Sequence, residues 1–187
     1  MKKKICLFLG YSSKRTNLIN FLRKKKIRVS EFKNKKINSE IAKKYDFIVS
    51  FGYRKIINKK TIDSLRRPIL NLHIAYLPFN RGASPNYWSF KNKTPKGVTI
   101  HEIDQGIDTG DIVFRKKINF KINNKTTFKE TYWILRKEVE KLFKKNFKKI
   151  VSGKYIKIKQ VSKKKLNLRR ELPKIKRWDI PIKKYFS

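Results

Sequence analysis

"PILNLHIAYLPFNRG", Pro68 to Gly82, is the stretch from which the chain can be read. Its first half alternates as a strand. Leu70, Leu72 and Ile74 fall on one face and Asn71, His73 and Ala75 on the other, since successive strand side chains point to opposite sides. Its second half breaks at Pro78 into a polar loop that ends at Arg81 and Gly82. An amide and an imidazole on one face of an otherwise aliphatic strand are either satisfied core groups or part of a site. Their place just before the loop favours a site, because ligands of open α/β sheets bind outside the carboxyl ends of parallel strands.

Working outward, "ICLFLG" predicts a buried strand over residues 4–9, and "GYSSKRTNLINFLRKKK" a loop opening a helix that runs to about residue 25. Ile27 to Val29 can form a second strand, the polar stretch 30–44 shows no periodicity, and "YDFIVSFGY", 45–53, predicts a third strand. "KKTIDSLRRP" predicts a short helix stopped by Pro68. Strands alternating with helices imply an α/β fold, a mostly parallel twisted sheet flanked by helices. Further on, "KGVTIHEID" (96–104) and "DIVFRKKINF" (111–120) read as strands joined through the turn "QGIDTG". From Thr126 to about Ile150 apolar residues recur three and four apart, which predicts one amphipathic helix on the sheet. Residues 1–153 thus read as one domain. Residues 154–187 read as a basic C-terminal tail carrying Trp178, Tyr185 and Phe186, which wraps the domain or meets a partner chain, a homodimer being one possibility.

The 187 residues suit a single α/β domain, and 39% hydrophobic residues with 13% aromatic exclude wholesale disorder. The net charge of +38 attracts polyanions such as RNA, anionic membrane surfaces or phosphorylated metabolites. Lysines spread through nearly every segment, beside abundant Ile and Asn, equally match the composition of AT-rich coding. The single cysteine, Cys6, excludes an internal disulfide, and with only two histidines no zinc site is expected. "MKKKICLFLG" has the charged start of a signal peptide, but its apolar run is too short and no cleavage site follows. No segment reaches the length of a membrane span, and a cytoplasmic protein is expected.

Asp108 lies in "DQGIDTGD", a Gly-rich and carboxylate-rich loop between two strands. Alone it reads as turn chemistry, but the flanking strands bring the loop to one end of the sheet, within reach of the imidazole. Asn71, His73 and Asp108 are a sensible set for acyl transfer: an amide donor for an oxyanion, a proton-handling imidazole and a carboxylate to orient it. No Ser or Cys in these segments offers a nucleophile, so the nucleophile belongs to the substrate.

"NLHIAYLP", "RGASPNYW", "GVTIHEID" and "GIDTGDI", in that order over roughly residues 46–118, resemble the formyltransferases that use 10-formyltetrahydrofolate. These include glycinamide ribonucleotide transformylase, methionyl-tRNA formyltransferase and sugar N-formyltransferases. The resemblance implies a Rossmann-like formyltransferase fold with 10-formyltetrahydrofolate as formyl donor, and Asn71, His73 and Asp108 as the catalytic set. It implies pterin-pocket walls at Tyr53, Lys55, Ile56 and Ile57, with Arg54 in the same loop, and at Asp104, Gly106 and Ile107. Core packing is an equal account of Ile56 and Ile57. Ser12 and Lys14 in the first loop, with Arg81 and Gly82, would face the acceptor, and His101 would stand behind the site. Asp108 would favour a charged imidazole and relay protons through water. The chain departs from the family in three places: Ala75 stands where Ser is usual, the N-terminal half is shortened, and the first loop has one glycine, where purine-pathway members carry a richer phosphate loop.

The acceptor implied by this short layout is an amine of a nucleotide-linked sugar, for which the basic surface and "GYSSKR" suit a diphosphate. Methionyl-tRNA is the alternative, although little chain follows the long helix to build an RNA-binding domain. A non-catalytic module that binds RNA or nucleotides through its charge is a reading of another class.

Overall fold

The computed structural model describes residues 3–161, 166–174 and 177–186. A six-stranded sheet has the order β2-β1-β3-β4-β6-β7. Its strands are β1 (Ile5–Gly10), β2 (Arg28–Phe32), β3 (Phe47–Phe51), β4 (Leu70–His73), β6 (Gly97–Glu102) and β7 (Ile112–Lys117). The first four pair in parallel, and β6 and β7 then run antiparallel along one edge. The chain leaves β1 for β2 on one side and returns to β3 on the other. The strand order therefore reverses at the carboxyl ends of β1 and β3, where α/β sheets open a crevice.

Apolar alternation covers both faces. Cys6, Phe8, Val49, Leu70, Leu72 and Ile100 form one core with Leu18, Ile19 and Leu22 of α1 (Leu18–Lys24) and Leu135, Val139 and Phe143 of the long C-terminal helix. Leu7, Leu9 and Ile48 face the opposite core with Ile37, Ala42 and Ile57. That side holds α2 (Ser39–Ala42) and α3 (Lys59–Asp63), each started by an asparagine. The Asn38 side chain accepts from the N–H of Ile41 and that of Asn58 from Thr61, satisfying donors that a helix start leaves free. α2 falls in the stretch 30–44, where one short turn of helix gives no detectable period. After β4 come the two-residue β5 (Arg81–Gly82) and α4 (Pro85–Lys91).

The helix predicted as one element is two, α5 (Phe128–Lys145) and α6 (Phe147–Ser152). Asn146 leaves helical geometry at φ −101°, ψ 12°, and its side chain donates to the Leu142 carbonyl, closing the first helix where the apolar period alone continues.

Beyond Gly153 the chain returns across the domain as a strap. Ile158 bridges Ile112, and β8 (Leu166–Asn167) pairs in parallel with β5. Gly82 makes that pairing possible: at φ 89° a Cβ there would lie 2.4 Å from the Asn167 carbonyl oxygen. Farther on, the Ile182 N–H donates to the Thr126 carbonyl, and Trp178, Tyr185 and Phe186 pack around Phe128. Among the described residues no helix is long and apolar enough to cross a membrane.

Phe128 is 1% exposed and packs against Trp178, Tyr185 and Phe186, so Phe128→Ala removes the aromatic anchor of the end of the strap. Urea unfolding should show a loss of about 3–5 kcal/mol, and limited proteolysis should cut the strap first. An unchanged midpoint with an intact strap would contradict this packing.

Candidate active site

Strand register assembles the site. Asn71 on β4 stands directly across from His101 on the antiparallel β6, and His73 stands two residues further along the same face. Cross-strand partners share a face, and the Asn71 Nδ2 lies 3.1 Å from His101 Nε2. The loop from 104 to 110 then folds Asp108 over the pair. Asp104 shapes that loop by accepting from the Gly106 N–H and the Thr109 hydroxyl. Gly106 leaves room for the turn, since a Cβ there would lie 2.0 Å from the Thr109 hydroxyl oxygen. Asp108 itself has φ 52°, a left-handed backbone that costs energy and is tolerated where the surroundings fix it. Gln160 of the strap does so, donating to the carbonyls of Asp108 and Gly110.

The Asp108 carboxylate meets four groups. Oδ2 accepts from the Gly82 N–H at 2.8 Å and lies 3.6 Å from His73 Nε2. Oδ1 accepts from Asn71 Nδ2 at 3.4 Å and lies 3.4 Å from His101 Nε2. Burial alone would push the carboxyl up. Its interactions with His73 and His101 and the Gly82 N–H outweigh that and hold it well below the usual carboxylate range. With the carboxyl held that low, Asp108 is ionised at neutral pH, His73 being the largest of the groups that lower it.

His73 is pushed the other way. Burial lowers its pKa, Asp108 raises it, His101 lowers it and a hydrogen bond to the backbone of Asn80 raises it, with a net downward shift. Asp108 does favour the charged imidazole, as expected, but loss of hydration outweighs it, and the net shift leaves the resting ring neutral. Nε2 is buried without a hydrogen-bond partner. With the Asn80 backbone taking the other nitrogen, Nε2 carries the lone pair. His101, also buried, donates from Nδ1 to the Glu102 carbonyl and accepts from Asn71 Nδ2 at Nε2, so it stands behind the pair. Donor atoms of His73, His101 and Asp108 lie within 4.8 Å of one another, a spacing a divalent ion could use, but both carboxylate oxygens already accept hydrogen bonds from protein groups.

These groups open into a cavity of about 900 Å³ beyond the ends of β1, β3 and β4. Tyr53, Arg54 and Ile107 line it, as do Gly82 and the strap residues Asn167, Arg169 and Trp178. The other predicted pterin-wall residues stand outside its lining. Ile56 is 91% exposed, Lys55 points to solvent, Ile57 packs in the core with Ile48 and Ile69, and Asp104 and Gly106 build the turn. Ser12 lines a smaller groove next to Tyr11, Lys14 a second one, and Arg81 neither of these nor the main cavity. Ala75 is buried away from the lining, so the missing hydroxyl does not change the cavity wall.

Sequence reading passed over Gln160, the strap wall and Arg136. Arg136 of α5 is 5% exposed and is stacked among Tyr11, Phe51 and Trp133, with its guanidinium carbon 4.2 to 5.3 Å from their ring centres. Beside it the Tyr11 and Tyr132 hydroxyls are 3.0 Å apart, and burial pushes the Tyr132 hydroxyl up to about 12. A cation–π contact returns about 0.5–2 kcal/mol, against several kcal/mol for dehydrating an ion, so the aromatic cage compensates only part of the cost.

Comparison with known proteins places the chain among relatives of one kind. The family model described as "Formyl transferase" matches residues 3–146. The chain is 35% identical to the formyltransferase PseJ of Anoxybacillus kamchatkensis, crystallised with UDP-4,6-dideoxy-4-formamido-L-AltNAc and tetrahydrofolate, with a TM-score of 0.87 and 96% of each chain covered. It is 40% identical over 88 residues to methionyl-tRNA formyltransferase of Finegoldia magna, covering 46% of this chain and 28% of that one. It is 29% identical over 142 residues to dTDP-4-amino-4,6-dideoxyglucose formyltransferase of Mycobacterium bovis, covering 76% of this chain and 59% of that one. The chain thus matches less than two thirds of the length of each of these two curated relatives.

The His73 shift has a measurable sign. With the folded pKa below the ordinary 6.5, the unfolded chain takes a proton that the folded one refuses, so stability falls as pH drops below 6.5. An NMR titration of the imidazole should give a midpoint below 6.5, and lower still in Asp108→Asn. A midpoint above 6.5 would contradict the neutral resting ring.

Proposed function

The chain belongs to the formyl transferase family, and on that premise we propose that it transfers a formyl group from 10-formyltetrahydrofolate to an amine of a nucleotide-linked sugar. The observation that carries this reading is the convergence of Asn71, His73 and Asp108 on one wall of a cavity of about 900 Å³, roomy enough for a pteridine and an acceptor together. The likeness to a sugar formyltransferase over 96% of both chains supports the sugar as acceptor.

The bound folate supplies the formyl group, and the side chains supply charge and proton handling. One Nδ2 hydrogen of Asn71 is held by His101, while the other makes only the 3.4 Å contact with Asp108. That second hydrogen is free to turn to the oxygen that gains negative charge as an amine adds to the formyl carbon. The lone pair on His73 Nε2 takes the proton the amine gives up and returns it to the departing nitrogen. Asp108, already ionised 3.6 Å away, stabilises the imidazolium during that interval. The Gly82 N–H and Gln160 hold Asp108 in place. Tyr53 and Ile107 are the wall residues that meet the pterin.

Incubation with 10-formyltetrahydrofolate and a panel of UDP- and dTDP-linked amino sugars should add one formyl mass to at least one of them. Asn71→Ala should fold normally and lose about 10²–10³ in turnover, the usual effect of removing an oxyanion donor. Transfer to methionyl-tRNA with none to any sugar would replace the acceptor. Salt-sensitive RNA binding with no transfer to any amine would overturn the enzyme reading.

A further inference from the structure

Arg136 is a buried cation surrounded by aromatic faces, with no counter-ion among the described residues. Among the described residues no carboxylate lies within ion-pairing distance of it. Its Nη2 donates to the Arg15 carbonyl and its guanidinium also bonds the neutral Tyr132 hydroxyl, while its Nε is buried with no acceptor among the described residues. Guanidinium groups removed from water ordinarily have an anion beside them, and the planar fork of donors fits phosphate or carboxylate oxygens.

Its position indicates where that anion comes from. Arg136 borders both the main cavity and the adjoining groove lined by Lys14, Arg15 and Lys137, and Arg54 also borders both. Against Lys14, Arg15, Arg54, Arg136 and Lys137 that groove has one acid, Glu140. The positive field there is therefore largely uncompensated, and it lies at the carboxyl ends of β1 and β3, where the strand order reverses and phosphate-bearing ligands of α/β sheets collect. The walls assigned to the pterin, Tyr53 and Ile107, are separate residues, which leaves the α5 side of the cavity for the second ligand.

We propose that Arg136, with Lys14, Arg15 and Arg54 around it, forms the anion subsite of this cavity and holds the diphosphate of the acceptor. Tyr11, Trp133 and Phe51 fix the plane of the guanidinium, so that little rotamer freedom is lost on binding. The assignment of the anion as a nucleotide diphosphate rests on the acceptor proposed above; the subsite itself does not.

The test is calorimetric titration of the full chain with UDP, with inorganic pyrophosphate and with 5-formyltetrahydrofolate, for wild type, Arg136→Lys and Arg136→Met. Arg136→Met should weaken pyrophosphate and UDP about 10- to 100-fold and leave the folate probe unchanged, as loss of charge-assisted hydrogen bonds implies. Its melting temperature should be no lower than wild type, because removing an unpaired buried charge does not destabilise. Arg136→Lys keeps the charge without the fork and should weaken pyrophosphate several-fold, which keeps the test alive if the Met variant fails to fold. Unchanged pyrophosphate affinity with a lowered melting temperature would make Arg136 a structural brace and overturn the subsite. Weakening of the folate probe alone would assign it to the other ligand and overturn it equally. Arg136-dependent pyrophosphate binding in a protein that formylates no nucleotide-linked sugar would uphold the subsite and sink the acceptor assignment.

Discussion

An ionised carboxylate that is only 13% exposed, the Asp108 side chain, is the constraint around which the cavity is arranged. A charge so placed destabilises the fold unless polar groups meet it where it lies. The groups that meet Asp108 come from distant parts of the chain: Asn71 and His73 from β4, His101 from β6 and the Gly82 N–H from β5. Each requires a feature of the architecture. The antiparallel turn of β6 beside β4 puts His101 opposite Asn71, and the strap that pairs with Gly82 also fixes the Asp108 backbone through Gln160. The polar face of β4 is thus affordable only because a carboxylate, two imidazoles and an amide satisfy one another.

The same set explains how a neutral base and a negative partner coexist at close range. Loss of hydration pushes His73 toward the neutral form, while the two imidazoles and the Gly82 N–H together hold the Asp108 carboxyl low. A proton arriving at Nε2 meets a charge already in position, with no solvent to reorganise, which is the arrangement that makes electrostatic assistance effective. Outside the cavity the balance is different: basic residues outnumber acidic ones by 51 to 13, and most are solvated side chains on the surface. Arg136 is set apart by burial rather than by its sign.

Much of this was readable in the sequence because strand alternation is local. The period of two placed Asn71 and His73 on one face, and the order of strands and helices gave the mostly parallel sheet that the molecule has. The break at Asn146 was hidden because the apolar period runs through it and only the Asn side chain ends the helix. The strap was hidden for the opposite reason. Its short bridges and aromatic anchors, Trp178 on Phe128 and Leu166 beside Arg81, are set by contacts distant in sequence and leave no period. The cavity walls differ from the predicted ones where exposure decides, as at Ile56 and Lys55, because two adjacent loop residues carry no signal of which way they face. Arg136 did leave a signal. It lies four residues after Tyr132 and three before Val139, on the inward stripe of α5, where an arginine breaks the apolar pattern.

The central claim is that a charged Asp108 is stabilised inside the folded protein, and the carboxyl carbon of that residue reports it directly. In protein labelled with ¹³C at aspartate carboxyl carbons, and with Asp108→Asn to assign the signal, its shift should remain that of an ionised group as pH falls through the ordinary 3.8, for as long as the fold persists. Half-titration at or above 3.8 in the folded state would contradict the account, because the groups gathered around that carboxylate would not then be holding its charge.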